Sequence, residues 1–134
     1  MALDTIIEFK KASIFQEDNL VLADVNLKVN KGEFIYLIGK VGSGKTSLIK
    51  TITAELPLKK GEGRVANFEL HKLKNKQIPY LRRKIGIVFQ DFQLLTDRTV
   101  LENLTFVLKA TGWKNKQEMK DRIDDALDKV GLKH

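Results

Sequence analysis

Cysteine is absent from this chain, which excludes disulfides and thiolate metal sites. Histidine is scarce: His71 and His134 stand apart with no ligand spacing around them, and both are expected to be solvated surface residues. No apolar run approaches the roughly 20 residues that a membrane-spanning helix needs. The opening MALDTIIEF carries Asp4 and Glu8 and lacks both a basic start and a long apolar stretch. It does not read as a signal peptide, and the cytoplasm is the expected compartment. Repeats and low-complexity segments are also missing.

What remains is the composition of a soluble globular domain: 134 residues, 43% hydrophobic and 31% charged. The net charge is +7, from 24 Lys+Arg against 17 Asp+Glu. Its densest cluster is Lys72, Lys74, Lys76, Arg82, Arg83 and Lys84, with no regular aromatic interleaving. That pattern reads as a solvated basic face, and nucleic acid is not the expected partner.

Patterning predicts an α/β half followed by a helical half. Residues 6–10 and 21–29 read as strands, with Val21, Ala23, Val25, Leu27 and Val29 on one face at period two. A polar turn, Gln16 to Asn19, separates them. EFIYLI at 33–38 is apolar on both faces, as a buried central strand should be. A helix is expected over about 45–54, a short strand near 64–68 and a basic helical segment near 77–83. IGIVF at 85–89 is a second buried-strand candidate, and helices are expected over 99–110 and 115–130.

Between the first buried strand and the first helix lies GKVGSGKTS, Gly39 to Ser47, a full match to G-x-x-x-x-G-K-[ST]. Each position has a chemical reason. A triphosphate needs many donors at short range, and side chains would crowd one another there. Glycines at 39, 42 and 44 permit unusual dihedrals, so that backbone N–H groups, including that of Ser43, turn inward as an anion nest. The helix beginning at Lys45 adds its positive end around Thr46 and Ser47. Lys45 supplies a point charge to the β- and γ-phosphates, and the Thr46 hydroxyl is the natural Mg²⁺ ligand. A chance match in a chain of this length is on the order of 0.5%. The expected cofactors are ATP and Mg²⁺.

Other segments narrow the family. IFQEDNLVLADVNLKVNKGEFIYLIG resembles the opening of the ATP-binding-cassette (ABC) ATPases, in which an aromatic residue ahead of two antiparallel strands stacks on adenine. Phe15 matches that place. LRRKIGIVFQDFQLLTDRTVLENLTF, 81–106, resembles the family's Q-loop region, and the matching glutamine is Gln90. The resemblance implies that Gln90 reaches the Mg²⁺ and the attacking water, so Lys45 and Gln90 are the expected catalytic residues. A neutral amide can orient water without adding charge. The string FQDFQLLTDRTVLEN is most similar to the cell-division branch, with lipoprotein-release and methionine-import ATPases as near neighbours.

The resemblance implies a P-loop NTPase fold of the ABC nucleotide-binding type, in part. Residues 1–90 would form the α/β nucleotide-binding core, an antiparallel β subdomain plus the start of a parallel sheet. Residues 91–134 would form the Q-loop and the start of the helical subdomain. It also implies an integral membrane subunit as partner, a self-dimer sandwiching ATP in the full-length protein, and a peripheral position on the inner face of the cell membrane.

There are departures. Val41 stands where the family usually has Ser or Asn. No LSGGQ-like signature, no apolar strand ending in Asp-Glu and no switch histidine occurs within these 134 residues. Asp91 follows an apolar run, but Gln90 intervenes and no glutamate follows. The expectation is therefore nucleotide binding without rapid hydrolysis by this chain alone, and either a piece of a longer protein or self-association. A P-loop kinase or GTPase is the first rival, though Asn115-Lys116-Gln117-Glu118 only approximates a guanine-reading motif. A non-hydrolysing nucleotide-responsive module is the second.

Overall fold

The computed structural model describes residues 4–89, 91 and 93–132. The chain divides into two compact units, residues 1–85 and 86–134.

The first unit is built on a long hairpin. Strand β1, Thr5–Gln16, pairs antiparallel with β2, Asn19–Asn30, through a tight turn in which Glu17 takes φ 56°. Strand β3, Lys60–Val65, pairs with the other edge of β1, and the two-residue β4, Phe68–Glu69, closes the order β2-β1-β3-β4. Helix α1, Lys45–Ile52, covers one face of this sheet. Its buried Leu48 joins Phe9, Ala12, Ile14, Leu58, Val65, Leu70 and Leu81 in the core. Helix α2, Ile78–Arg82, contributes Leu81, and the Arg82 guanidinium Nε donates to the Thr53 carbonyl at 3.1 Å. That basic residue therefore ties two elements together rather than only facing water.

The period-two reading of β2 needs one correction. Ile14 faces Leu22 while Ala12 faces Val25, so β2 spends three residues where β1 spends two. The extra residue is a bulge, with Asp24 at φ 53°. It turns Ala23 outward and brings Leu22 onto the core beside Val25 and Leu27. His71 also departs from expectation. It is half-buried, and its Nδ1 accepts the Gly63 N–H at 3.2 Å. His134 lies outside the described residues.

The two expected central strands are a larger correction. Residues 33–38 and 85–89 belong to no ladder, and Phe34, Tyr36, Ile38 and Val88 are largely exposed. Phe34 and Tyr36 instead meet edge to face, with centroids 5.1 Å apart. The reason lies in what defines a central strand: it requires hydrogen-bonded neighbours on both edges. The sheet formed by β1–β4 offers neither run a neighbour.

In the second unit, helices α3, Val100–Ala110, and α4, Lys116–Lys129, pack together, with Met119 and Ile123 buried. Thr99 and Glu102 form a reciprocal capping box at the start of α3. Thr99 Oγ1 accepts the Glu102 N–H at 3.0 Å, and Glu102 Oε1 accepts the Thr99 N–H at 3.1 Å. These bonds hold the Glu102 carboxyl below its ordinary value of 4.5, because they favour the charged acceptor. A lowered folded value means stabilisation that is present above the unfolded pKa and is lost as pH falls through the folded one. Glu102→Gln is accordingly expected to reduce α3 helicity at pH 7, with the difference from the parent chain shrinking below about pH 4. Circular dichroism against pH measures this, and a pH-independent difference would contradict it.

Candidate functional site

Residues 39–47 leave the extended 33–38 segment and fold back on themselves before the first helical turn. A tight turn closes with the Ser43 N–H donating to the Lys40 carbonyl at 3.0 Å. Gly42 takes φ 84° and Gly44 φ 100°, in the left-handed region that glycine alone occupies cheaply. Gly44 is the N-cap of α1, and no side chain caps the helix there. No acidic residue occupies the first turn. The first-turn N–H groups thus have no partner within the helix, and the helix dipole adds positive potential at the same point.

Space as well as dihedral angle demands glycine here. A Cβ on Gly44 would meet Val21 Cγ1 and Leu22 Cγ at 2.9 Å, so the loop is pressed against β2. A Cβ on Gly39 would meet Ser43 Oγ at 2.5 Å, because the loop's start and end lie side by side. Lys45 bends over this fold: its ammonium donates to the Gly39 carbonyl and, at 3.5 Å, to the Lys40 carbonyl. Val41 points wholly to solvent, so the departure at this position disturbs no contact of the loop.

The remaining candidates divide. Thr46 is exposed on the first turn of α1. Ser47 is buried, and its hydroxyl donates to Gln16 Oε1 at 3.3 Å, so that hydroxyl serves a structural bond. Phe15 is half-buried at the end of β1, opposite Leu20 across the hairpin, rather than ahead of both strands. Its neighbour Gln16 therefore links the hairpin tip to the phosphate-loop helix. Gln90 lies outside the described residues. Among the described residues no group of three or more His, Asp or Glu side chains could hold a metal ion. Asn115 caps α4 by accepting the Gln117 and Glu118 N–H groups, so its amide is engaged in helix capping rather than presented for base reading.

Two residues near this site carried no signal of their own in the sequence. In the sequence Gln16 is one more polar turn residue. Lys59, whose ammonium stands 5.7 Å from the centroid of the Phe15 ring, belongs to no motif of the sequence.

The ABC transporter family model matches residues 22–134, most of the chain. The chain belongs to that family. It is 40% identical over 120 residues to the cell division ATP-binding protein FtsE of Streptococcus pneumoniae, covering 90% of this chain and 52% of that protein. It is 38% identical over 113 residues to methionine import ATP-binding protein MetN 1 of Acinetobacter baylyi, covering 84% of this chain and 32% of the relative. Among solved structures it resembles the dimeric post-hydrolysis state of the ATP-binding cassette MJ0796 bound to ADP and Pi. That match has a TM-score of 0.72 and 28% identity over 92% of this chain and 56% of the other. The chain spans about half the length of the FtsE relative and of this cassette. Its fold is accordingly that of the ABC-type P-loop ATPases, represented here by the antiparallel sheet and the helices.

Gly44→Ala tests the loop directly. The left-handed φ and the contact with Val21 and Leu22 together cost about 1–3 kcal/mol. Triphosphate affinity is expected to fall about ten-fold or more by calorimetric titration. Unchanged affinity would mean that this backbone conformation is not what binds.

Proposed function

We propose that this chain forms the phosphate-gripping part of the ATP-binding subunit of an ABC-type membrane complex in cell division. The observation that carries the reading is the left-handed Gly44 at an uncapped, acid-free helix start, with the Lys45 ammonium held at the same loop. Backbone N–H groups of residues 42–47 and Lys45 would bind the triphosphate, Thr46 would ligate Mg²⁺, and Phe15 would stack on the base. Gln90 would orient water beside the metal, a role resting on its sequence context alone. Bound ATP-Mg²⁺ supplies the phosphoryl group and the charge that neutralises it. This chain's own residues bind and orient it.

Identity of 40% to the FtsE relative supports the cell-division assignment, and an integral membrane subunit of the FtsX type is the corresponding partner. The dimeric cassette among similar solved structures supports a self-dimer sandwiching ATP in a full-length protein. Among the described residues no helix is long and apolar enough to cross a membrane, consistent with a peripheral position held through that partner. Neither the signature sequence nor the Asp-Glu pair occurs in these 134 residues, so the chain alone is proposed to bind nucleotide without rapid turnover. A methionine-import assignment is the second reading, supported by 38% identity to the import relative, and co-purification with one or the other type of membrane subunit separates the two.

Titrating ATP and GTP, with and without Mg²⁺, against the parent chain and Lys45→Ala tests the proposal. Loss of one charge-assisted contact is expected to weaken ATP about ten- to a hundred-fold. Equal affinity in both proteins would remove the phosphate loop from the function.

A further inference from the structure

The Phe15 ring lies outside the buried core formed by Phe9, Ala12, Ile14 and their neighbours, yet the chain around it is anchored and a cation stands over it. The next residue, Gln16, accepts a hydrogen bond from Ser47 of α1. The Lys59 ammonium stands over the Phe15 ring, 5.7 Å from its centroid. That ammonium is itself anchored to the turn that follows Phe15. It donates to the Glu17 carbonyl at 2.6 Å and lies 4.0 Å from the Asp18 carboxylate. The backbone at Lys59 is fixed as well. Leu58 is buried in the core, and Lys60 sits opposite Ser13 in the β1–β3 register, two residues before Phe15.

We infer that Lys59 is a positioning residue for the nucleotide base, acting through Phe15. This rests on the reading of Phe15 as the base platform. Two physical effects follow from a cation on one face of the ring. It fixes the ring's orientation, so less freedom is lost when a base stacks. It also draws π density towards itself, which makes the opposite face less negative. Two aromatic faces normally repel through like quadrupoles, and a less negative face accepts a stacked purine more readily. The contribution belongs to the base and not to the phosphates, and that separates it from the role of Lys45.

The test measures ATP and inorganic tripolyphosphate affinity by calorimetry for the parent chain, Lys59→Ala, Lys59→Arg, Phe15→Ala and the Phe15→Ala/Lys59→Ala double variant. Lys59→Ala is expected to weaken ATP about two- to five-fold, the size of an exposed cation–π contact, with tripolyphosphate unchanged. Lys59→Arg restores ATP binding, and it retains the cation should the alanine variant unfold by circular dichroism. In the Phe15→Ala background, loss of Lys59 has no further effect. An equal fall for both ligands would overturn the inference, by making Lys59 a phosphate cation or a fold residue. ATP affinity insensitive to Lys59 but lowered by Phe15→Ala would overturn it while leaving the base platform intact. A parent chain that binds neither ligand would reject the nucleotide reading itself.

Discussion

The site depends on one backbone constraint: the chain must reverse between Gly39 and Lys45 so tightly that at Gly44 a side chain would meet both a left-handed φ and the packed face of β2, while at Gly39 it would force Ser43 to turn away. At Gly44 the obstacle is β2, with Val21 and Leu22 at 2.9 Å from the missing Cβ. At Gly39 it is the loop's own Ser43. Pressing this turn onto the hairpin orients the start of α1, and Leu48 one turn later seals the helix into the core. The donors that would meet a phosphate are thus positioned by apolar packing several residues away. A triphosphate then encounters N–H groups already ordered, which lowers the entropic cost of binding.

The same hairpin carries Phe15, the proposed platform for the base. Gln16 and Ser47 link its tip to the helix that follows the phosphate loop, and Lys59 links it to the strand on the other side. On the proposed reading, base and phosphate recognition would share this scaffold, although the residues lie some 30 positions apart in the chain. Ser47, which motif spacing alone suggests as a ligand, spends its hydroxyl on Gln16 of the neighbouring strand.

Much of this was legible in the sequence, and the failures have physical causes. The glycine spacing predicted the loop because only glycine tolerates those dihedrals and that proximity. The turn at 16–19, α1 and both late helices followed from local patterning, and the structure adds the caps that start the late helices, Thr99 with Glu102 and Asn115. Asp24 defeated the period-two reading because a bulge inverts the alternation without leaving a compositional mark. EFIYLI and IGIVF have the composition of buried strands, but burial is conferred by neighbours, and no ladder reaches either run. Gln16 and Lys59 could not have been found, since their contacts depend on register across 31 and 42–44 residues.

The central claim is that peptide N–H groups of one reversed turn, together with one ammonium, receive the phosphates. Backbone amide chemical shifts of the full chain, followed while ATP and Mg²⁺ are added, test it most directly. The account predicts concerted, saturable shifts at Gly42, Gly44, Lys45, Thr46 and Ser47, the largest in the chain. Saturable binding whose shifts fall on other segments, with the amides of 42–47 unmoved, would contradict it.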